Sequence, residues 1–400
     1  MEDVQFLVEA LHTHAAVLIA NAKIEVYGIK SLEMKNIWFA IALFLISALY
    51  GCRQDRQTPE LRNVIVNFSD AEKITLDNKD ILWFENSDSS LIYDITNLCP
   101  IGDSAFVVQS RGSFFKLFDR RGKYLRDVAI KGEGPGEFNY VGNVWSEDTV
   151  FHLFDGTLGR DFKYGLKSGF IGYDTVVSSP IPGKDELPRI CAGEIYPRPD
   201  GKGVYYINGF LGTPPFRQRF AYAKDIHSQP DTICGRLCLD GHSFWNDFFI
   251  VGNGERALYW EAIKDTVYTV TPDTVVASYA INYGENSLPA EVTALTGVVD
   301  RFQAIPKEDK EKYVIFARYF QTYDGWIYYV TSVGMHGYIV GIDEASGNAK
   351  AWEFVSEEGQ HLLPQLFFKI DGDKGMLSVI DESKPDNNPG LFVFPMSRLR

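Results

Sequence analysis

Residues that could carry out nucleophilic or metal chemistry are sparse in this 400-residue chain. Five histidines lie beyond residue 51, none forms a His-Glu-x-x-His pair, and Gly-x-Ser-x-Gly does not occur. These histidines are His152, His227, His242, His336 and His361. Local motifs therefore predict no catalytic residue, no metal site and no cofactor. A site assembled from distant loops would leave no such motif and stays open.

Two stretches rich in glycine and aspartate resemble ligand loops but are better explained as turns. Gly132-x-Gly134-x-Gly136 lacks the Lys-Ser/Thr of a phosphate-binding loop, so we interpret it as a tight crossing between strands. Asp371-x-Asp373 has part of the spacing of a calcium loop, but its glycine comes one place early, which favours a hairpin turn. The crossing continues into a structural turn element formed by Gly134, Pro135, Gly136, Glu137 and Phe138.

Cysteine usage is compatible with export from the cytoplasm. Beyond Cys52 the chain carries Cys99, Cys191, Cys234 and Cys238. The last two are spaced as half of a zinc site, but no second Cys/His pair accompanies them. Buried free thiols or one disulfide are the better interpretation, and the sequence does not choose the pairing.

The N-terminal region carries an export signal. The uncharged run 37–49 follows Lys35 and is 13 residues long, whereas a helix needs about 20 apolar residues to span a bilayer. The run ends in Leu49-Tyr50-Gly51-Cys52. This ending resembles the bacterial lipoprotein signal, in which the cysteine is lipidated and becomes the new N-terminus.

These features predict the boundaries of the N-terminal segments. Residues 1–33 are interpreted as a mis-assigned extension, 34–51 as the lipoprotein signal peptide with Met34 as the true start, and 52–61 as a polar tether. The alternative keeps Met1 and treats 36–51 as a short internal membrane anchor. Both arrangements place the bulk of the chain outside the cytoplasm. We expect a lipid-anchored protein of the bacterial cell envelope, at the outer membrane on its periplasmic or surface side.

A turn rich in Gly and Asp, followed by an apolar strand, recurs six times in the rest of the chain. The turns are marked by Asp103, Asp148, Asp200, Gly254, Asp324 and Asp371. They are 45 to 70 residues apart, which suits a four-stranded antiparallel sheet with its turns. The pattern predicts an all-β fold, a six-bladed β-propeller of four-stranded antiparallel blades over residues 62–400.

A propeller must close its ring. The sixth unit lacks an outer strand, and the strand within 62–76 precedes the first unit, so we expect the N-terminal strand to pair with the last blade. The longest interval contains a polar stretch within 288–312, which predicts a helical insertion that caps one face.

The stretch 114–138, which ends in Gly-Pro-Gly-Glu-Phe, resembles one blade of the NHL-type propellers. It is also similar to the six-bladed β-propeller lipoproteins of Bacteroidetes-type bacteria. The motif covers about one blade, and the spacing of the turns covers the remainder. The resemblance implies the fold and a surface-lipoprotein setting, whereas the biochemical activity of that family is largely undefined.

Ligand sites on propellers lie on the face formed by the loops between second and third strands and between blades. The register places Arg111, Phe210, Trp245 and His336 on that face. Aromatic and cationic groups there would suit a sugar or a peptide, while the alternative is that Phe210 and Trp245 pack between blades. The net charge of −14 argues against nucleic acid as a partner.

Three hypotheses about function follow. The first is a lipid-anchored binding or scaffold propeller that holds a peptide, glycan or envelope protein. The second is a carbohydrate-active lyase or hydrolase with acid/base groups at the mouth of the channel. The third is a signalling or structural propeller within a larger envelope complex, which requires a contiguous apolar patch on the surface. The predicted membrane contact is the acylated Cys52.

Overall fold

Strands dominate the structure. The computed structural model describes residues 61–110, 114–176, 192–208, 220–228, 231–232, 248–251, 256–260, 263–295, 298–357, 361–384 and 386–400. Three short strands come first in the chain, namely β1 (Arg62–Ile65), β2 (Glu72–Leu76) and β3 (Ile81–Trp83).

The first three blades follow in chain order. Blade 1 contains β4 (Asn97–Ile101), β5 (Ala105–Ser110), β6 (Phe114–Asp119) and β7 (Tyr124–Ile130). Blade 2 contains β8 (Asn143–Glu147), β9 (Val150–Asp155), β10 (Arg160–Gly165) and β11 (Gly169–Thr175). Blade 3 contains β12 (Ala192–Pro197), β13 (Val204–Asn208), β14 (Phe220–Ala223) and β15 (Asp231–Thr232).

The other three blades complete the ring. Blade 4 contains β16 (Phe248–Val251), β17 (Ala257–Trp260), β18 (Thr266–Val270) and β19 (Val275–Asn282). Blade 5 contains β20 (Ala317–Tyr323), β21 (Trp326–Val333), β22 (His336–Asp343) and β23 (Ala349–Ser356). Blade 6 contains β24 (Leu362–Asp371), β25 (Lys374–Asp381), β26 (Gly390–Pro395) and, from the start of the chain, β3. The predicted all-β, six-bladed propeller is confirmed.

Ring closure is made by the N-terminal region, as predicted, but by a different strand. The strand β3 pairs antiparallel with β26, in the register Trp83 with Gly390, Leu82 with Leu391 and Ile81 with Phe392. The prediction that the strand within 62–76 closes the last blade was wrong. Sequence alone could not choose among three short apolar segments, because the choice depends on which blade edge each segment reaches.

The strands within 62–76 instead extend two other blades. The strand β1 pairs in parallel with β19 of blade 4, and β2 pairs in parallel with β23 of blade 5. Blades 4 and 5 therefore have five strands rather than the four that were predicted for every blade. These additions cover outer edges that would otherwise expose unpaired backbone groups to solvent.

The recurring turn residues have a local physical cause. Among the described turns that join first and second strands, Gly201 and Gly372 have φ values of +67° and +60°, while Asp148 and Asp324 have values of +51° and +46°. Glycine enters this left-handed region without steric cost, and aspartate enters it more readily than most residues. A tight turn of this kind joins the first and second strands in each of the five blades for which that turn is described, which makes the repeat visible in the sequence.

The hydrophobic core is divided among the interfaces between neighbouring blades. Six clusters of buried side chains occur in the described residues, one at each junction around the ring. At the junction of blades 4 and 5, for example, Phe320 stacks on Tyr329 at 4.9 Å and the hydroxyls of Tyr283 and Tyr329 lie 3.0 Å apart. Each blade is therefore covered on both faces.

Two short α-helices lie in the connection between blades 4 and 5. They are α1 (Ala290–Thr293) and α2 (Val298–Ala304), and Val292 and Ile305 join the core cluster at that junction. The 3-10 turns of the structure are Phe68–Asp70, Asn78–Asp80, Gly284–Asn286, Lys307–Asp309 and Met396–Leu399.

A buried asparagine ties the last blade to the first. Asn388 lies in the loop between β25 and β26 and is 2% exposed. Its Nδ2 donates to the carbonyl oxygens of Glu85 at 2.5 Å and Ser90 at 3.0 Å, and its Oδ1 accepts from the Ile92 amide at 2.7 Å. This amide thereby fixes the segment between β3 and blade 1.

We expect N388A to destabilise the protein by roughly 2–4 kcal/mol, because the Ser90 carbonyl and the Ile92 N–H would lose their buried partner, whereas the Glu85 carbonyl would keep the Ser90 hydroxyl. The neighbouring N387A is the matched control, since Asn387 is exposed, and it should change stability little. Urea unfolding of both variants measures the difference. Equal stabilities would contradict the role given to Asn388.

Candidate functional site

The candidate functional residues lie on one face of the ring. The loops between second and third strands and the connections between blades emerge here, and we call it the loop face. The innermost strands of the blades begin at this face and line the channel; they are β4, β8, β12, β16, β20 and β24. Residues at the start of these strands therefore surround the channel mouth on the loop face.

Backbone geometry is irregular at the start of β20. The register with β21 shifts between Arg318 and Gln321, and Tyr319 within this bulge has φ of +55°. A left-handed conformation costs about 1 kcal/mol or more for a residue with a side chain. Bulges redirect the side chains of the strand that carries them. The bulge therefore takes Arg318 and Tyr319, at the mouth of the channel, out of the regular geometry of a strand.

The side chain of Arg318 is part-buried and lies over an aromatic ring. Its guanidinium carbon is 4.7 Å from the centre of the Phe316 ring. The Nε atom is buried without a hydrogen-bond acceptor, and no carboxylate of the described residues lies within ion-pair distance. Burial lowers the pKa of Arg318 from its ordinary value, because the charged form loses hydration.

Tyr319 crosses from blade 5 towards blade 1. Its ring meets Phe367 of blade 6 edge-on at 4.8 Å, and its hydroxyl donates to the carbonyl oxygen of Thr96 at 3.3 Å. Burial raises the pKa of Tyr319, and the nearby Arg318 opposes that rise. Contacts with two other blades hold the strained residue in place.

On the blade 2 side of the loop face, a buried carboxylate organises the connection from blade 1. Asp155 at the end of β9 is fully buried. One carboxylate oxygen accepts from the amides of Asn139 and Tyr140 at 2.6 and 3.0 Å. The other accepts from the amides of Thr157 and Leu158 and from the Thr157 hydroxyl. Asp155 is therefore occupied in shaping two loops.

The Gly-Pro-Gly-Glu-Phe element lies between the outer strand of blade 1 and the inner strand of blade 2. Glu137 accepts the Gly134 amide at 2.8 Å, and Tyr164 donates to the Gly136 carbonyl at 2.9 Å. Phe138 is buried in the core between these blades. Every described contact of this element is structural.

His336 is the one predicted ligand-binding residue that falls within the described ranges, because Arg111, Phe210 and Trp245 lie outside them, as does the predicted lipid attachment site Cys52. It begins β22 and is exposed. Its Nδ1 lies 2.6 Å from Oε1 of Glu353, which belongs to β23, the fourth strand out from the channel. His336 is therefore paired towards the outer side of blade 5, away from Arg318.

A second histidine–carboxylate pair is buried between blades 2 and 3. The Nδ1 of His152 lies 2.8 Å from Oδ2 of Asp161, and the His152 ring stacks on Trp145 at 5.0 Å. Burial raises the pKa of Asp161, and His152 opposes that rise. Neither partner is more than 6% exposed, so this pair lies away from any substrate on the loop face.

Cys99 is a free, buried thiol whose pKa burial raises to about 11, so it is a weak nucleophile. The other cysteines lie outside the described ranges. Within those ranges, no group of three or more His, Cys, Asp or Glu side chains could hold a metal ion. No helix of the described segments is long and apolar enough to cross a membrane.

The family model described as "Domain of unknown function (DUF4934)" matches residues 66–388, which is most of the chain. The chain belongs to the DUF4934 family. No curated protein matches its sequence.

Solved structures resemble this DUF4934 chain in fold. A protein of Bacteroides fragilis that is assigned as exported is 12% identical with a TM-score of 0.53, and the match covers 84% of this chain and 99% of that protein. A DUF4221 family member from Bacteroides vulgatus is 9% identical with a TM-score of 0.50, over 78% of this chain and 96% of the other. At these identities the likeness shows the fold alone.

Sequence reasoning missed Arg318 and Tyr319. Local sequence could not single them out in this DUF4934 chain, because Ala317-Arg318-Tyr319-Phe320 reads as an ordinary apolar strand with one charge. Their significance comes from the position of β20 nearest the channel and from the bulge, and both depend on pairing with β21.

We expect D155N to lower the free energy of unfolding by roughly 2 kcal/mol or more, because an amide nitrogen would then face buried N–H donors. The control D103N changes an exposed turn carboxylate and should have little effect. Urea unfolding at pH 7 compares the two variants. A D155N protein as stable as D103N would show that Asp155 does not organise the loop face.

Proposed function

We propose that this chain is a lipid-anchored binding propeller of the bacterial cell envelope that holds a peptide, glycan or protein partner on its loop face. The observation that carries this proposal is the bulge at the channel mouth. Strained residues cluster at binding sites, where the surrounding structure maintains a costly conformation. Tyr319 is such a residue, and contacts with blades 1 and 6 keep it strained.

Placement in the envelope is supported by two independent features. The sequence ending at Cys52 resembles a lipoprotein signal, and a structure of similar fold belongs to a Bacteroides protein assigned as exported. Anchoring through Cys52, with a polar tether up to residue 61, would leave the ring free to meet partners at the membrane surface.

A binding role accounts for the described side chains better than a lyase or hydrolase does. Catalysis of that kind needs an acid and a base that reach the same substrate. Of the described histidine–carboxylate pairs, His152–Asp161 is buried between blades and His336–Glu353 points to the outer side of blade 5. His227 lies 4.0 Å from Asp174, which belongs to the outer strand of blade 2. None of these pairs faces the channel mouth.

A structural propeller within an envelope complex is a second candidate, and exposed apolar residues favour it. They lie on the outer strands of blades 1 and 2, are 40–55% exposed, and comprise Leu125, Ile130, Phe170, Ile171 and Tyr173. Such side chains on neighbouring edge strands suit contact with another protein.

Lipidation predicts a specific mass for the native protein. Intact-mass measurement after extraction from bacterial membranes should give residues 52–400 plus acyl chains, and C52A should abolish the acyl mass. A native protein that retains residues 1–51 would overturn both the lipid anchor and the start at Met34.

Hydrogen exchange locates the binding surface on the full-length protein. With a muropeptide digest or a tripeptide library as probe, we expect slower exchange at amides of 96–97 and 317–319 at the channel mouth. Amides of the turns at 102–103 and 324–325 on the opposite face serve as the internal control and should not change. Protection confined to 124–130 and 169–175 would favour the structural propeller instead, and no protection by either probe would count against a binding role.

A further inference from the structure

We infer that Arg318 binds the carboxylate of a small ligand at the channel mouth, a role that rests on the binding function proposed above and names its chemistry. Arg318 is the second residue of β20, and β20 begins at the loop face beside the channel. A ligand can reach this position from the loop face, and the side chain there is partly buried.

The guanidinium has hydrogen-bonding capacity that the described residues leave unused. Buried polar groups in proteins are nearly always paired, and a buried cation without a partner is costly. Other arginines have a carboxylate partner: Arg120, whose Nε is likewise buried without an acceptor, lies 2.6 Å from the Asp371 carboxylate, and Arg198 lies 2.6 Å from that of Asp200. Arg318 has no carboxylate partner among the described residues, so a ligand carboxylate that meets the terminal nitrogens of the guanidinium would balance its charge.

Aromatic packing holds the guanidinium in position. Arg318 lies over Phe316, and Phe316 stacks on Phe302 of α2 with ring centres 6.3 Å apart. Stacking on a ring restrains the guanidinium plane and leaves its N–H edges for a planar, two-oxygen acceptor. Arg318 itself lies at the edge of the bulge that contains Tyr319. The site is thereby preorganised for a bidentate contact.

Charge favours a single carboxylate over a phosphate or a polyanion. The chain has a net charge of −14, which disfavours the approach of highly charged anions. The pKa of Tyr319 is also influenced by the carboxylate of Asp94, so negative charge is already present near the mouth. One guanidinium matches one carboxylate in charge and in geometry.

The test uses two pairs of probes in calorimetric titrations of the full-length protein. Hippurate and its amide represent a peptide carboxylate, and glucuronate and glucose represent an acidic sugar. We expect at least one acid to bind about 10- to 100-fold more tightly than its neutral counterpart, since a charged hydrogen bond is lost in the latter. The pair that shows the difference identifies the source of the carboxylate.

Three variants assign the effect to Arg318. R318Q should remove the preference for the acid, and R318K should weaken it because lysine keeps the charge without the planar fork. R160Q is the matched control, since Arg160 lies over Tyr173 on the outer part of blade 2 and its loss changes the net charge equally. If R318Q does not fold, the acid preference of R318K alone tests the role of Arg318.

The outcomes separate this role from the general binding function. Equal affinity for acid and neutral probes, absence of binding by both acids, or unchanged acid preference in R318Q and R318K would overturn the role of Arg318. The binding function would still stand if hydrogen exchange showed protection at the channel mouth by the muropeptide or tripeptide probes. Absence of that protection as well would overturn both the role of Arg318 and the binding function.

Discussion

Closure of the ring between β3 and β26 is the constraint on which the rest of the structure depends. Each blade buries its two faces against its neighbours, and the junction of blades 6 and 1 forms only when the start and end of the chain meet. Asn388 strengthens this junction by bonding to the segment that leads from β3 into blade 1. The N-terminal region does more than close the ring, because β1 and β2 cover the outer edges of blades 4 and 5.

A closed ring is also what allows strain at the channel mouth. Tyr319 keeps a left-handed conformation while its contacts lie on blades 1 and 6, which are distant from it in sequence. An isolated sheet could relax such a bulge by shifting its register. In the ring, packing on both sides of blade 5 opposes that shift. Stability distributed over six junctions thus supports a local conformation that is unfavourable by itself.

Polar groups of the chain divide into those that the fold uses and those that it leaves available. Asp155 and the pair of His152 and Asp161 are buried and hydrogen-bonded within or between blades, where they shape loops and fill junctions. Arg318, near the start of the innermost strand of blade 5, differs because no described carboxylate pairs with its guanidinium. This division favours recognition over catalysis as the use of the loop face.

The sequence by itself determined the fold class and the number of blades, because a tight turn rich in Gly and Asp is a local requirement that recurs along the chain, and it is left-handed in the five blades for which it is described. It also predicted that the N-terminal region closes the ring. Only the tertiary structure decided that β3, and not the strand within 62–76, closes the ring, and that blades 4 and 5 gain a fifth strand.

The candidate site also depended on the tertiary structure. The sequence could place His336 on the loop face, but its pairing with Glu353 and the bulge at Arg318 follow from strand register. Turn preferences act between neighbours in the chain, whereas edge pairing and proximity to the channel depend on residues brought together only when the ring closes.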